Sequence, residues 1–216
     1  MARSKKPVIT ARKHPQQTRS AQLVADILEA AIRVLVRDGA YHFTTARVAE
    51  AAGVSVGSLY QYFPNKEAIL FQLQANEWGQ TMSQLERILG DRNTLPPQRL
   101  RAAVRTFFRS ECEEAAFRSA LEEAAPLYRE APEARAHAED GRDLMERFMR
   151  DALPSASARE RAFAADLVGV VMSSAGKMIS VQNRSRSQVD ALADAVADMF
   201  CAYLETVRAP TSARKT

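Results

Sequence analysis

The chain has 216 residues, 46% of them hydrophobic, with a mean hydropathy of -0.29, which excludes a disordered chain and allows one substantial core plus a smaller second one. Only 8 glycines and 9 prolines punctuate it, so long helices are favoured over the frequent turns of a β architecture, and the expected class is all-α with about nine helices. The net charge of +4 is uneven, with ten Lys and Arg against four Asp and Glu in residues 1–66 and twenty against twenty-two beyond; a basic head suits phosphate, on nucleic acid or on an anionic membrane, and charge alone does not choose.

Residues 1–18 combine Arg3, Lys5, Lys6, Arg12 and Lys13 with Pro7 and Pro15 and show no apolar period, which predicts a flexible arm. The arm leads into no apolar segment, so a secretory signal is not expected and the protein reads as cytoplasmic. Leu23, Ile27, Ala31 and Val34 then line one face of an amphipathic helix that stops near Gly39. A second, short helix runs from the capping residues Thr44 and Thr45 to Gly53, where a left-handed turn costs little. Ser55 caps a third, which ends before Pro64; Asn65 caps a fourth, with Glu67 in its first turn.

Gly90 to Pro97 is a turn-rich break, and Leu100, Val104 and Phe107 open the next stripe. Further breaks are expected at Pro126, Pro132, Pro154 and Asn183 to Ser187. The apolar stretch Ala162 to Met172 is interrupted by Asp166 and falls short of the roughly 20 residues of a membrane span. Cys112 and Cys201 show no metal or redox spacing and read as buried thiols.

Ala49, Gly53 four residues on and Leu59 six later have helix-turn-helix spacing: a small residue for close approach, a turn, and an anchor that leaves the other face of the second helix open. The surrounding run FTTARVAEAAGVSVGSLYQYFPNKEAIL, Phe43 to Leu70, closely resembles the signature of the TetR family of transcriptional regulators. The resemblance implies an arm (1–18), a DNA-binding domain (19–66), and a helical effector-binding and dimerisation domain (67–216). It further implies phosphate contacts from Thr44, Thr45, Tyr60, Tyr62 and Lys66, and groove-facing positions at Val56, Gly57, Ser58 and Gln61. Hydroxyls and an ammonium at helix starts suit phosphate oxygens, and a Gln amide can pair with adenine. Packing against helix four is the other reading of Tyr60 and Tyr62. Where many members carry a base-reading arginine this chain has Ala46, and the neighbouring Arg47 is left between a phosphate contact and a shifted base contact.

In the C-terminal half, Ala162, Phe163, Leu167, Val168, Val170, Val171, Met172, Met178 and Ile179 surround their helix on nearly all sides, so both of its faces must be covered. The last helix carries a stripe of Val189, Val196, Met199, Phe200, Tyr203 and Val207. The resemblance implies that these two helices make a four-helix homodimer interface, with Leu167, Val171, Met178, Val189, Val196, Phe200 and Tyr203 in it. It also implies an inducer cavity for a largely apolar small molecule, for which Trp78, Met82, Phe107, Phe108, Tyr128, Phe148 and Met172 are the candidates. His137 with Glu139 and Asp140 is poorly spaced for a metal, and no nucleophile, base and orienter cluster occurs, so neither an enzyme nor a cofactor is expected. The resulting expectation is a dimeric, ligand-released repressor on a pseudo-palindromic DNA operator, with no membrane partner. The alternative is a basic helical scaffold or membrane-surface protein without sequence-specific recognition.

Overall fold

The computed structural model describes residues 8–11 and 18–208, apart from the side chains of Thr18 and residues 135–139. The arm cations Arg3, Lys5, Lys6, Arg12 and Lys13, and His137 with Glu139, therefore lie outside the described positions. Among the described residues there is no strand. The helices run α1 (Thr18–His42), α2 (Thr45–Ala51), α3 (Val56–Tyr60), α4 (Lys66–Leu89), α5 (Pro96–Glu113), α6 (Ala115–Ala124), α7 (Pro132–Ala152), α8 (Ala158–Ser180) and α9 (Arg186–Arg208), with a 3-10 turn at Ala125–Leu127.

The expected punctuation marks most of these ends. Gly39, at φ +73° and ψ 170°, breaks α1 before its last turn. Gly53, at φ +67°, makes the turn between α2 and α3, a conformation that a side chain would resist. Pro132 opens α7. The break expected through Pro97 is shorter than that, because Pro96 already sits at the start of α5, where its missing N–H costs nothing. A capping box at α8, with Ser157 and Glu160 each satisfying the other's backbone N–H at 3.2 and 2.9 Å, is a start signal that the pattern reading missed.

The chain divides into two compact units. The first extends to Trp78 and takes in Ala116–His137; the second holds Gly79–Ala115 and the chain from Ala138 on. The boundary expected after Lys66 is thus displaced by about three turns of α4. The reason is packing: Ala68, Ile69, Leu70 and Leu73 of α4 join Ile27, Leu35, Phe43, Leu59 and Phe63 in the first core, together with Leu121 and Tyr128. The Tyr128 hydroxyl lies within hydrogen-bond distance of two acceptors that share its one proton, Leu121 O (3.2 Å) and Gln74 Oε1 (3.1 Å), and burial pushes its pKa up. A largely buried ion pair, Glu77 to Arg118 at 2.7 Å, links α4 to α6 in this unit.

The second core is built on α5, α8 and α9, with the end of α4 and most of α7. Leu100, Val104 and Phe108 of α5 meet Val168 and Met172 of α8 and Ala193, Ala197 and Phe200 of α9. Gly176 of α8 is where α5 comes closest: a Cβ there would lie 2.8 Å from the Phe107 ring. Three ion pairs run along α5 and α9 in antiparallel register: Arg101 with Asp198, Arg105 with Asp194 (2.5 Å) and Arg109 with Asp190 (two bonds of 2.7 Å). Arg99 is a buried strut, donating to Leu89 O (2.7 Å) and to Asp151 while its guanidinium lies 5.5 Å from the centre of the Phe148 ring.

One expectation about α8 changes. Its 23 residues include an 18-residue window of mean hydropathy 1.4, so by length and composition it does meet the requirement of a membrane span, only 33% of the window being buried in the chain. Asp166 is not enough to break that run. The inner side, Ala164, Ala165, Val168, Met172 and Ile179, is core, while Phe163, Val170 and Met178 are 63–65% exposed.

Candidate nucleic-acid interface

The α2–α3 pair is assembled from local bonds. Thr44 is extended (φ -136°) and its hydroxyl accepts the Arg47 N–H at 3.3 Å, so its side chain serves as the cap of α2. Val54 N–H closes the turn onto Ala49 O at 3.0 Å. Ser55 caps α3, accepting the Ser58 N–H at 3.0 Å while the two hydroxyls lie 2.8 Å apart. Val48, Ala49, Leu59 and Phe63 are buried beneath, at 0–1% exposure, as the spacing argument requires. The opposite side of α3 is open: Val56 and Tyr60 are each 39% exposed, and Gly57 and Gln61 are exposed too. Ser58 is half-buried by its bonding to the cap.

Two of the expected phosphate ligands meet: Thr45 Oγ1 and Tyr60 Oη stand 3.1 Å apart, joining the start of α2 to the end of α3. One phosphate oxygen could approach both hydroxyls. Tyr62 differs. It is half-buried against the first core, so of the two tyrosines this one packs and Tyr60 is open. Lys66 begins α4, half-buried, beside the positive end of the helix dipole.

Arg47 has an alternative employment that neither sequence option included. Its Nη1 donates to His42 O (3.2 Å) and lies 3.3 Å from Asp38 Oδ2, binding α2 back to the end of α1. Asp38 is also held by two bonds from Arg37, at 2.6 and 2.9 Å, which keep its carboxyl below the usual aspartate range. A residue that the spacing did not mark is Tyr41, 90% exposed and edge-on to His42 just before α2. No periodic signal could have found it, because it sits in the last turn of α1, beyond the kink at Gly39 that ends the apolar period.

The residues expected around a ligand are divided between the units. Trp78 and Tyr128 pack in the first core, whereas Met82, Phe107, Phe108, Phe148 and Met172 belong to the second. In the second unit Phe148 also lines a cavity of about 240 Å³ with Leu89, Leu144, Glu86, Arg92, Arg99, Arg147 and Asp151. The residues expected at a partner chain divide too. Met178 is exposed, and Leu167, Val171, Val196 and Tyr203 are half-buried. Val189 and Phe200, at 2% exposure, are spent in the chain's own core and have no surface to offer a partner. The thiols of Cys112 and Cys201 are both free, half-buried and buried respectively, and burial pushes both pKa values up. Among the described residues no cluster of three metal-ligating side chains occurs.

Comparison with known proteins bears on both units. A family model described as "Bacterial regulatory proteins, tetR family" matches residues 27–73, and one described as "Tetracyclin repressor-like, C-terminal domain" matches residues 95–207. The fatty acid metabolism regulator protein of Bacillus subtilis (strain 168) is 34% identical over 68 residues, which are 32% of this chain and 35% of that protein. Among solved structures, SmeT, the repressor of the Stenotrophomonas maltophilia multidrug efflux pump SmeDEF, superposes with a TM-score of 0.62 at 25% identity, covering 87% of this chain and 90% of that one. The transcriptional regulator FadR from Bacillus subtilis in complex with stearoyl-CoA gives 0.64 at 17% identity, with 82% and 96% covered.

Proposed function

Because this chain belongs to the tetR family of bacterial regulatory proteins, we propose that it is a repressor that binds a pseudo-palindromic DNA operator as a homodimer and is released by a small, largely apolar effector. The observation that carries this reading is the contrast across α3, with Leu59 wholly buried and Val56, Gly57, Tyr60 and Gln61 facing outward. A helix five residues long is too short to stabilise itself. Its outward residues are therefore available for reading a major groove, and small Gly57 lets the helix sit deep. Thr45, Tyr60 and Lys66 supply the phosphate contacts that set its register, while Thr44, Tyr62 and Arg47 act through packing and capping.

The effector site is assigned to the second unit, among Met82, Phe107, Phe148 and Met172, because Met and aromatic side chains adapt to an apolar ligand. The triclosan of the SmeT complex and the acyl chain of the stearoyl-CoA bound by FadR are apolar groups of that kind. An effector that releases DNA binds the two states with different affinity, so ligand and operator oppose each other reciprocally. The test is a binding selection on randomised duplex at physiological salt. Enrichment of one two-fold-related sequence is expected, and uniform recovery of all duplexes would overturn the reading.

A further inference from the structure

The cavity of about 240 Å³ in the second unit lies where the end of α4, the start of α5 and the last turns of α7 meet. Leu89, Leu144 and Phe148, all buried, form its apolar wall. Its polar wall sets three arginines, Arg92, Arg99 and Arg147, against two carboxylates, Glu86 and Asp151. Arg147 pairs with Glu86 at 2.7 Å and Arg99 with Asp151. Arg92 is exposed and has no ion-pair partner among the described residues, so the wall carries an excess of one positive charge. None of Met82, Phe107 and Met172, to which the apolar effector is assigned above, lines this cavity.

The ion pair at Arg99 is only half made. A guanidinium presents Nε and Nη2 as one edge that matches the two oxygens of a carboxylate. Elsewhere in the chain that edge is filled: Arg109 gives both bonds to Asp190, at 2.7 Å each, and Arg37 gives both to Asp38, at 2.6 and 2.9 Å. Arg99 gives Asp151 the Nη2 bond alone, while its Nη1 is held by Leu89 O at 2.7 Å and its Nε is buried without a hydrogen-bond partner. A buried donor left unsatisfied is costly. The two partners also differ in freedom, the Arg99 side chain being 4% exposed and that of Asp151 42%. The arginine is fixed in the wall, whereas the aspartate can turn into water.

We propose that this cavity binds a small carboxylate with an apolar body, whose two oxygens take the Nε–Nη2 edge of Arg99 in place of Asp151. The exchange keeps a negative charge on the buried guanidinium, satisfies Nε and releases Asp151 to solvent. The body of the ligand lies against Leu89, Leu144 and Phe148, and Arg92 at the rim adds attraction for an anion. The volume, below the roughly 300–1,000 Å³ of sites for drug-sized ligands, restricts the ligand to a small one. A neutral molecule of the same shape cannot replace Asp151, so the site selects by charge. Binding breaks the tie between α5 and α7 and leaves the tie from Arg99 to Leu89 of α4 in place.

The experiment titrates benzoate, with benzamide as its neutral control, into the full chain without DNA, followed by NMR at the Arg99 Nε–H. Benzoate should saturate at millimolar concentration and shift that resonance, and benzamide should bind at least about tenfold more weakly. Asp151→Asn replaces the competing carboxylate with a neutral acceptor and should tighten benzoate on the order of tenfold, a gain that a merely structural role would not produce. Arg99→Lys keeps the charge but loses the edge, and should weaken benzoate on the order of tenfold or more. If Arg99→Lys is unfolded at the assay temperature, the exposed Arg92→Ala takes its place, with a loss of a few-fold expected. Equal affinity for benzoate and benzamide, unchanged affinity in Asp151→Asn, or no saturable binding would each overturn the site. Benzoate binding that leaves the Arg99 Nε–H unmoved places the ligand elsewhere and overturns it too. No DNA enters the measurement, so its failure is distinct from a failure of the regulator reading.

Discussion

Gln61 and Lys66 lie five residues apart and are expected to do different work, because an amide can distinguish bases and an ammonium cannot. Gln61 is exposed at the C-cap of α3, where a carboxamide can pair bidentately with adenine, an interaction worth about 1–3 kcal/mol of discrimination. Lys66 opens α4 beside a dipole that already favours phosphate. Gln61→Ala should therefore relax the preference at one base position of each half-site by about 5- to 150-fold, while Lys66→Ala should weaken all duplexes alike and reduce the salt slope by about 0.9 for each phosphate no longer neutralised. Selection profiles and salt titrations of the two variants check both, and a Gln61→Ala profile identical to wild type would remove that side chain from base readout. Arg47 makes the converse point: a cation in the right motif can be occupied by its own chain, here by Asp38 and His42 O.

The Arg–Asp ladder couples α5 to α9 with a register of four residues on each helix, Arg101, Arg105 and Arg109 facing Asp198, Asp194 and Asp190. Arg109 makes the bidentate pair, and its hydrogen bonds hold the Asp190 carboxyl below the usual aspartate range despite some opposing desolvation. A carboxyl whose pKa is lowered in the folded chain adds stability above its unfolded value of about 3.9, and that stability is lost as pH falls through the folded value. Asp190→Asn should accordingly melt below wild type at pH 7, with the gap closing as pH drops below about 3.9; a gap independent of pH would show that the ladder's charge is not what stabilises this pairing. Helix existence and most breaks were legible in the sequence because apolar period, Gly and Pro are local signals, as at Gly39, Gly53 and Pro132. The ladder was not, since nothing local relates residue 109 to residue 190. The inner face of α9 was misread for a related reason: Ala193 and Ala197, which permit close approach to α5, carry less weight in an apolar pattern than the large Val189 and Phe200 beside them. Of the site, the buried Leu59 and the open α3 followed from spacing, whereas the orientation of Arg47 and the exposure of Tyr41 depend on how the end of α1 meets α2.

For the whole molecule, the proposed homodimer needs an apolar surface that the chain leaves uncovered. On α8, Phe163, Val170 and Met178 are 63–65% exposed and share a stripe with Leu167, and on α9 Met199 is 52% exposed on a stripe with Val196 and Tyr203. Both stripes recur at three- and four-residue steps, the spacing of helices that pack against further helices. The inner faces of α8 and α9 are already filled, so a second copy is the economical cover, and isologous pairing gives the two-fold symmetry that a pseudo-palindrome needs. Burial of an unpaired carboxylate at such an interface costs several kcal/mol, whereas on the surface of a lone protomer it costs little. Val170→Glu should therefore leave the helical content of the chain unchanged, convert a dimer to a monomer by light scattering, and lower operator affinity on the order of a hundredfold or more. Val170→Ala, which removes area without adding charge, should remain a dimer with a smaller loss. If Val170→Glu scattered as a dimer with wild-type operator affinity, the outer face of α8 would not be the interface between copies, and two-fold operator recognition would need another source.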